Sequence, residues 1–249
     1  YEIDGILSDN RLGVFDQKTP SVFITHQLNV MTGNTSWLSS KIHQNIIKKH
    51  SICWVPDVAG TPNLSGELGH LKTSDLKLNY IGPLSRIQKK EVEKKYDLMV
   101  ILSGPEPQRS YLEERLKTEV QNYTGKVIFI KGIIEKEQKK EEKENITFYN
   151  FMNTKQLEQA FNESDLVLSR SGYTTIMDLA KLEKKAFFIP TPGQYEQEYL
   201  AKKLQKDGIA PWSSQGDFSI EKLSEVSAYS GLKKFNSPVD WKQLFEIFE

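Results

Sequence analysis

The chain has 249 residues, and its 33 lysines and arginines balance 33 aspartates and glutamates, so the formal net charge is zero. Such a balance argues against a nucleic-acid protein, which would carry a basic patch or stripe, and the length admits one large domain or two modest ones. The single cysteine, Cys53, cannot close an internal disulfide, which fits a reducing compartment, and it reads as a small buried apolar side chain. No apolar run approaches the ~18 residues that suggest a membrane span.

The opening Tyr1-Glu2-Ile3-Asp4 is acidic and leads into a strand pattern, so no secretory leader is expected there and the chain reads as starting inside a domain. Strands are predicted at Ile3–Ser8, Val22–Thr25, Ile52–Pro56 and Leu78–Ile81. Within Thr35–Lys49, Trp37, Leu38, Ile42, Ile46 and Ile47 recur near helical spacing. Core packing is the simpler reading of that stripe, with peripheral membrane contact as the other. A loop rich in Gly, Pro, Asn and Ser follows, from Val58 to Gly69.

Ile81-Gly82-Pro83-Leu84 breaks the pattern and the charged Gln88–Lys95 leads away from it, which places a domain boundary near residue 86. Beyond it, strands are predicted at Leu98–Leu102, Lys126–Ile130, Ile146–Tyr149, Leu166–Leu168 and Ala186–Ile189, with helices after most of them. The run Glu135–Glu144 is almost wholly charged and reads as a solvated loop or fraying helix. Trp241, Leu244, Phe245 and Phe248 form a short helical stripe. Alternating strands and helices predict an α/β protein with parallel sheets. Its expected parts are residues 1–85, residues 86–235, and a C-terminal helix at 236–249 that packs back on the domains.

Three loops in the second block share one design, an apolar strand, a small polar turn and a helix start. The first contains Ser103 and Gly104, where glycine allows close backbone approach, with Pro107 suited to a first helical turn. The second is Ser169-Arg170-Ser171-Gly172 followed by Thr174 and Thr175, which concentrates hydroxyls and backbone donors where a diphosphate could sit. N-capping by Ser171 is the competing reading. Further along that helix, Asp178 could accept two hydrogen bonds from vicinal ribose hydroxyls, or serve the helix dipole. The third loop, Pro190–Glu198, offers Gln194, Gln197 and Glu198 to a polyhydroxylated ligand, although surface polarity would produce the same letters.

Taken together these residues resemble the peptidoglycan N-acetylglucosaminyltransferase family and its relatives, which have the two-domain GT-B fold, and the resemblance covers most of the chain. The family's donor turn and Thr-x-x-Glu helix are similar to Ser169-Arg170-Ser171-Gly172 with Thr175 and Asp178, one methylene shorter than the family's Glu. Gln197-Glu198 resembles the family's glutamine pair with one partner changed, and Gln194 competes for that place because the turn differs in length. Gly82-Pro83-Leu84-Ser85-Arg86 is similar to the interdomain segment whose arginine approaches the donor, which implies Arg86. Thr25-His26-Gln27-Leu28-Asn29 resembles a His-Glu-Gln-Asn turn without its Glu, which implies a catalytic role for His26 while leaving the acid/base assignment open. A histidine beside an apolar strand is also often structural. Glu183 stands where relatives often have glycine.

The resemblance implies Rossmann-like domains of which the N-terminal one is incomplete, roughly the first hundred residues of a typical member having no counterpart. It implies an inverting, metal-independent transfer of a sugar, N-acetylglucosamine first, from a UDP-sugar to a glycan or lipid-linked acceptor. No cofactor, metal or nucleic acid is expected. The place would be bacterial cell-envelope polysaccharide biosynthesis, in the cytoplasm or at the inner face of the membrane. Two alternatives remain open: a sugar-nucleotide hydrolase or epimerase, and a donor-binding subunit that needs a partner carrying the missing segment.

Overall fold

The structure, a computed structural model, describes residues 3–31, 36–233, 235 and 239–249. The chain divides into two compact units, Tyr1–Leu84 with Phe235–Glu249, and Ser85–Lys234. The expected helix start at Thr35, the first two residues and positions 236–238 of the expected C-terminal segment lie outside the described residues.

In the first unit, β1 (Ile6–Asp9), β2 (Ser21–Ile24), β3 (Ile52–Val55) and β4 (Leu78–Tyr80) form a parallel sheet in the order β1-β2-β3-β4. Side chains alternate across a strand, and here both faces are apolar. Phe23, Cys53 and Val55 point to one face, where Ile47 of α1 (Ser36–Ile47) covers them. Val22 and Trp54 point to the other, where Leu244 of the C-terminal α6 (Trp241–Phe245) packs and the Phe245 ring meets Trp54 at 5.7 Å. Covering on both sides explains why β2 and β3 read as continuous apolar runs. Burial pushes the Cys53 thiol up to about 12, as befits a packed apolar group.

The expectation of core packing for the helical stripe of α1 holds for Ile47 and fails for its N-terminal part. Trp37, Leu38 and Ile42 are 68%, 53% and 56% exposed, whereas Ser40, His43 and Ile47 are buried. At about 100° per residue, Ser40, His43 and Ile47 fall on one narrow arc, whereas Trp37, Leu38 and Ile42 lie off it and Ile46 is half-buried. No helix among the described residues is long and apolar enough to cross a membrane.

The second unit carries β5 (Tyr96–Ile101), β6 (Val127–Ile130), β7 (Lys140–Lys143), β8 (Ile146–Tyr149), β9 (Ser164–Ser169) and β10 (Lys185–Phe188), in the order β10-β9-β5-β6-β8-β7. All neighbours are parallel except β7 against β8. Helices α2 (Gln108–Glu119), α3 (Thr154–Glu163), α4 (Tyr173–Lys181) and α5 (Tyr195–Lys206) supply the connections. One core joins Leu98, Val100, Phe129, Leu168 and Phe187 from the sheet to Leu112 and Leu116 of α2. The charged run corrects another expectation, since Lys140–Lys143 is a strand. It hydrogen-bonds to β8 as an edge with every side chain exposed, so it needs no apolar face, and its charges discourage further pairing.

Candidate functional site

Removing the antiparallel β7, the second sheet runs β10-β9-β5-β6-β8. Starting from β5, the chain moves one way through β6 and β8, then returns to the other side of β5 with β9 and β10. The reversal lies between β5 and β9, and a crevice outside the carboxyl ends of the strands at such a point is where open α/β sheets bind ligands. Register aligns the three strand ends, because Ser169 pairs with Ile101 on one side and with Phe188 on the other. The three loops singled out in the sequence therefore leave the same edge side by side.

Their anchoring follows from individual residues. Gly104 has φ +104°, a region that favours glycine, and a Cβ built on it would meet only Thr191 Oγ1, at 4.0 Å. Ser103 and Gly104 are exposed, and Glu106 fixes the turn behind them by accepting from Arg109 Nε at 2.7 Å. After β9, Arg170 turns inward. Its guanidinium is buried and donates to the carbonyls of Ile189 (3.1 Å), Pro190 (2.9 Å) and Gln108 (2.9 Å), and to Gln215 Oε1 (2.8 Å). One side chain thus ties all three loops together. Burial lowers its pKa to about 10, which leaves it charged at neutral pH.

The serines of this turn are also engaged. Ser169 Oγ donates to the Arg170 carbonyl at 3.1 Å, and Ser171 Oγ donates to the Gln197 carbonyl at 2.7 Å. The capping reading of Ser171 is thereby corrected: Gly172 is the N-cap of α4, without a side-chain cap, and the first i→i−4 bond runs from Ile176 N to Gly172 O. Thr174 is exposed and Thr175 half-buried in the opening turn, whose N–H groups precede that first bond. An uncapped helix start beside a crevice suits an anion.

Asp178 is the sixth of the nine residues of α4, past its middle, so the dipole reading fails because that end of the helix carries the negative pole. It lies three residues after Thr175 and four after Thr174, on one face. Its carboxylate is half-buried, and Oδ1 accepts from Ser85 Oγ at 2.5 Å. Burial pushes its pKa up, opposed by the Ser85 hydrogen bond and the charge of Arg86. Arg86 is exposed, and its charge acts on the same carboxylate.

The third loop is closed by its own side chains. Gln197 Oε1 accepts from Thr191 N at 2.9 Å, and its Nε2 donates to Gln194 Oε1 at 2.7 Å. Glu198 Oε1 accepts from Gly193 N at 3.0 Å. Gln194 is the exposed N-cap of α5, and Gln197 and Glu198 are half-buried one turn on.

With this geometry in place, the family model of the Glycosyltransferase family 28 C-terminal domain matches residues 93–234, more than half of the chain. The chain belongs to that family. It is 23% identical over 211 residues to the UDP-N-acetylglucosamine–N-acetylmuramyl-(pentapeptide) pyrophosphoryl-undecaprenol N-acetylglucosamine transferase of Haemophilus ducreyi, covering 82% of this chain and 56% of the relative. The enzyme of the same name from Rickettsia massiliae is 39% identical over 67 residues, 26% of this chain and 18% of that one. Among solved structures, Acinetobacter baumannii MurG aligns with TM-score 0.51 and 15% identity over 86% of this chain and 60% of its own, and the glycotransferase of kitacinnamycin with 0.56 and 13% over 93% and 65%. The fold is GT-B, as the family resemblance implied. The chain spans little more than half the length of the curated relative matched over most of it.

In the first unit, the family resemblance pointed to His26, and the structure places it just past the end of β2, half-buried. The turn is held by a device the sequence reading missed. Asp57, fully buried after β3, accepts from Val58 N (2.8 Å), Leu64 N (2.9 Å), Ser65 N (2.7 Å) and Ser65 Oγ (2.5 Å). That closes the loop carrying Gly69, at which a Cβ would stand 2.3 Å from Ser65 Oγ and 3.1 Å from the His26 carbonyl. Asn29 N then donates to Leu68 O at 2.9 Å, and Asn29 Nδ2 to Glu67 O at 2.6 Å. Only the length of the Gly-Pro-Asn-Ser stretch hinted that this loop had an internal anchor. Ser85 and Thr191 were missed as well, each being an ordinary loop residue in the one-dimensional pattern.

Proposed function

We propose that this chain binds a UDP-sugar in the β5/β9 crevice and serves a transfer of N-acetylglucosamine, with inversion at C1, to a glycan or lipid-linked acceptor. The carrying observation is the register that brings the loops after β5, β9 and β10 to one edge, at the switch point, beside the uncapped start of α4. The relatives are named for UDP-N-acetylglucosamine as donor, and this supports the choice of nucleotide and sugar.

In this reading the diphosphate lies against Gly104 and the opening turn of α4, and Asp178 accepts from the ribose hydroxyls while Ser85 and Arg86 hold it. Arg170, spent on carbonyls, positions the loops and contributes charge. Gln194, Gln197 and Glu198 face the sugar. An acceptor hydroxyl attacks C1 as the bond from C1 to the diphosphate oxygen breaks, and the acceptor proton passes to a base. The helix N-terminus carries the charge that develops on the leaving diphosphate, which makes a metal unnecessary.

Isothermal calorimetry with UDP-, GDP- and dTDP-sugars, with and without EDTA, tests the reading. Binding confined to UDP species and indifferent to EDTA is expected. Preference for another nucleotide, or strict metal dependence, overturns it. Release of free sugar or its epimer without an acceptor would transfer the site to a hydrolase or epimerase.

A further inference from the structure

Thr191 lies in the loop after β10, 3% exposed, and its Oγ1 has no hydrogen-bond partner among the described residues. Buried polar atoms are nearly always satisfied, and one that is not asks for a reason. Its surroundings narrow the reason down. Thr191's backbone is fixed at both ends, with N–H donating to Gln197 Oε1 at 2.9 Å and the carbonyl accepting from Gln194 N at 3.1 Å. The hydroxyl lies 4.0 Å from the position a Cβ would take on Gly104, which sets it against the loop after β5.

The neighbouring charge selects the partner. Arg170 donates to the Pro190 carbonyl, one peptide from Thr191, and no ion pair among the described residues includes Arg170. Its Nε is a second buried donor without a partner among the described residues. A fixed cation without a counter-charge, next to a hydroxyl able to donate, at a crevice bordered by an uncapped helix start, matches an anionic oxygen.

We propose that Thr191 is a donor-binding residue whose Oγ1–H donates to a phosphoryl oxygen of the nucleoside diphosphate, over Gly104. The proposal rests on the crevice being the UDP-sugar site. Substrate then supplies the partner that the Thr191 hydroxyl lacks among the described residues.

Thr191→Val keeps the shape and removes the hydroxyl, and Thr191→Ser keeps the hydroxyl and removes the methyl. UDP and UDP-N-acetylglucosamine are titrated into the wild-type chain and both variants by calorimetry, and thermal unfolding is followed without ligand. The expected result for Thr191→Val is an affinity loss on the order of tenfold, equal for both ligands, with an unliganded Tm equal to or above wild type. Thr191→Ser regains most of the affinity. Affinity within twofold of wild type in Thr191→Val, a loss confined to the UDP-sugar, or a Tm lowered by several degrees overturns the proposal. Wild-type protein that binds neither ligand overturns the UDP-sugar reading itself, and this inference with it.

Discussion

Replacing Asp178 with Asn separates the carboxylate's role in binding from its role in folding. The substitution keeps one oxygen for Ser85 Oγ, now 2.5 Å from Oδ1, and turns the second oxygen into a donor. Ribose hydroxyls that donate to both oxygens lose one acceptor and the charge behind the other. Hydrogen bonds to charged groups are worth about 1.5–3 kcal/mol, so a loss of about 2 kcal/mol is expected, or roughly 30-fold in Kd for UDP. Folding should move the other way. Burial raises the Asp178 pKa, so the folded chain holds the proton to higher pH than the unfolded chain does. That contribution is full below the unfolded carboxylate value and is lost as pH rises through the folded one. At pH 7 the ionised group carries the burial cost and the amide does not, so the variant should unfold at the same Tm as wild type or higher. Calorimetry with UDP from pH 4.5 to 8 supplies the discriminating arm. Wild-type affinity should fall more steeply on acidification than that of the Asn variant, because both share protonation of the UDP phosphate and only the wild type also protonates residue 178. Affinity within twofold of wild type, or an unaltered acid limb, would remove Asp178 from the ribose site.

Three further outcomes follow from buried or strained residues of the second unit. Arg170→Met strips the partners from the carbonyls of Ile189, Pro190 and Gln108, at about 1–3 kcal/mol each, offset by several kcal/mol for no longer burying a cation. A net loss of about 3 kcal/mol by urea unfolding is expected, and an unchanged midpoint would contradict the clamp. Lys184 is buried, and desolvation, reinforced by Lys94, lowers its pKa to about 7. The unfolded chain then holds one more proton between that value and the ordinary lysine range, so stability should rise with pH above 7 by up to about 1.4 kcal/mol per unit. Lys184→Met should flatten that slope between pH 7.5 and 9 in parallel denaturation curves, since Lys94 Nζ also reaches the Asn162 and Ser164 carbonyls. Glu183 sits at φ 55°, with Glu183 N donating to Ala180 O and Lys184 N to Leu179 O, the helix-ending pair of bonds that favours glycine. Its exposed pairing with Lys89 contributes little. Glu183→Gly should therefore raise stability by about 0.5–1 kcal/mol, and a lower Tm would show that the ion pair outweighs the backbone.

Much of the second unit was legible in one dimension. A strand buried on both faces is a short run of apolar letters, and an α/β loop is a small polar turn before a helix period. Hence β5, β6, β8, β9 and β10, and the helical face of Ile176, Leu179 and Ala180, stand where the letters placed them. The edge strand β7 was hidden because exposure on both faces removes any apolar pattern. The orientation of α1 was hidden because helical periodicity marks a stripe without saying whether the protein covers it.

By itself the sequence determined the α/β class and the three loops, because each is written in local composition and spacing, while the family was carried by a resemblance of the donor-turn residues and by the family model over residues 93–234. Tertiary structure decided which side chains of those loops are spent and which remain. Arg170, in the most ligand-like turn of the chain, is committed to three carbonyls up to 62 residues away, and Asp178 is held by Ser85, 93 residues distant. Thr191, a loop residue between two prolines, has a buried hydroxyl without a partner among the described residues. Hydrogen bonds between segments far apart in the chain are set by the register of β5, β9 and β10, and that register exists only once the sheet has formed.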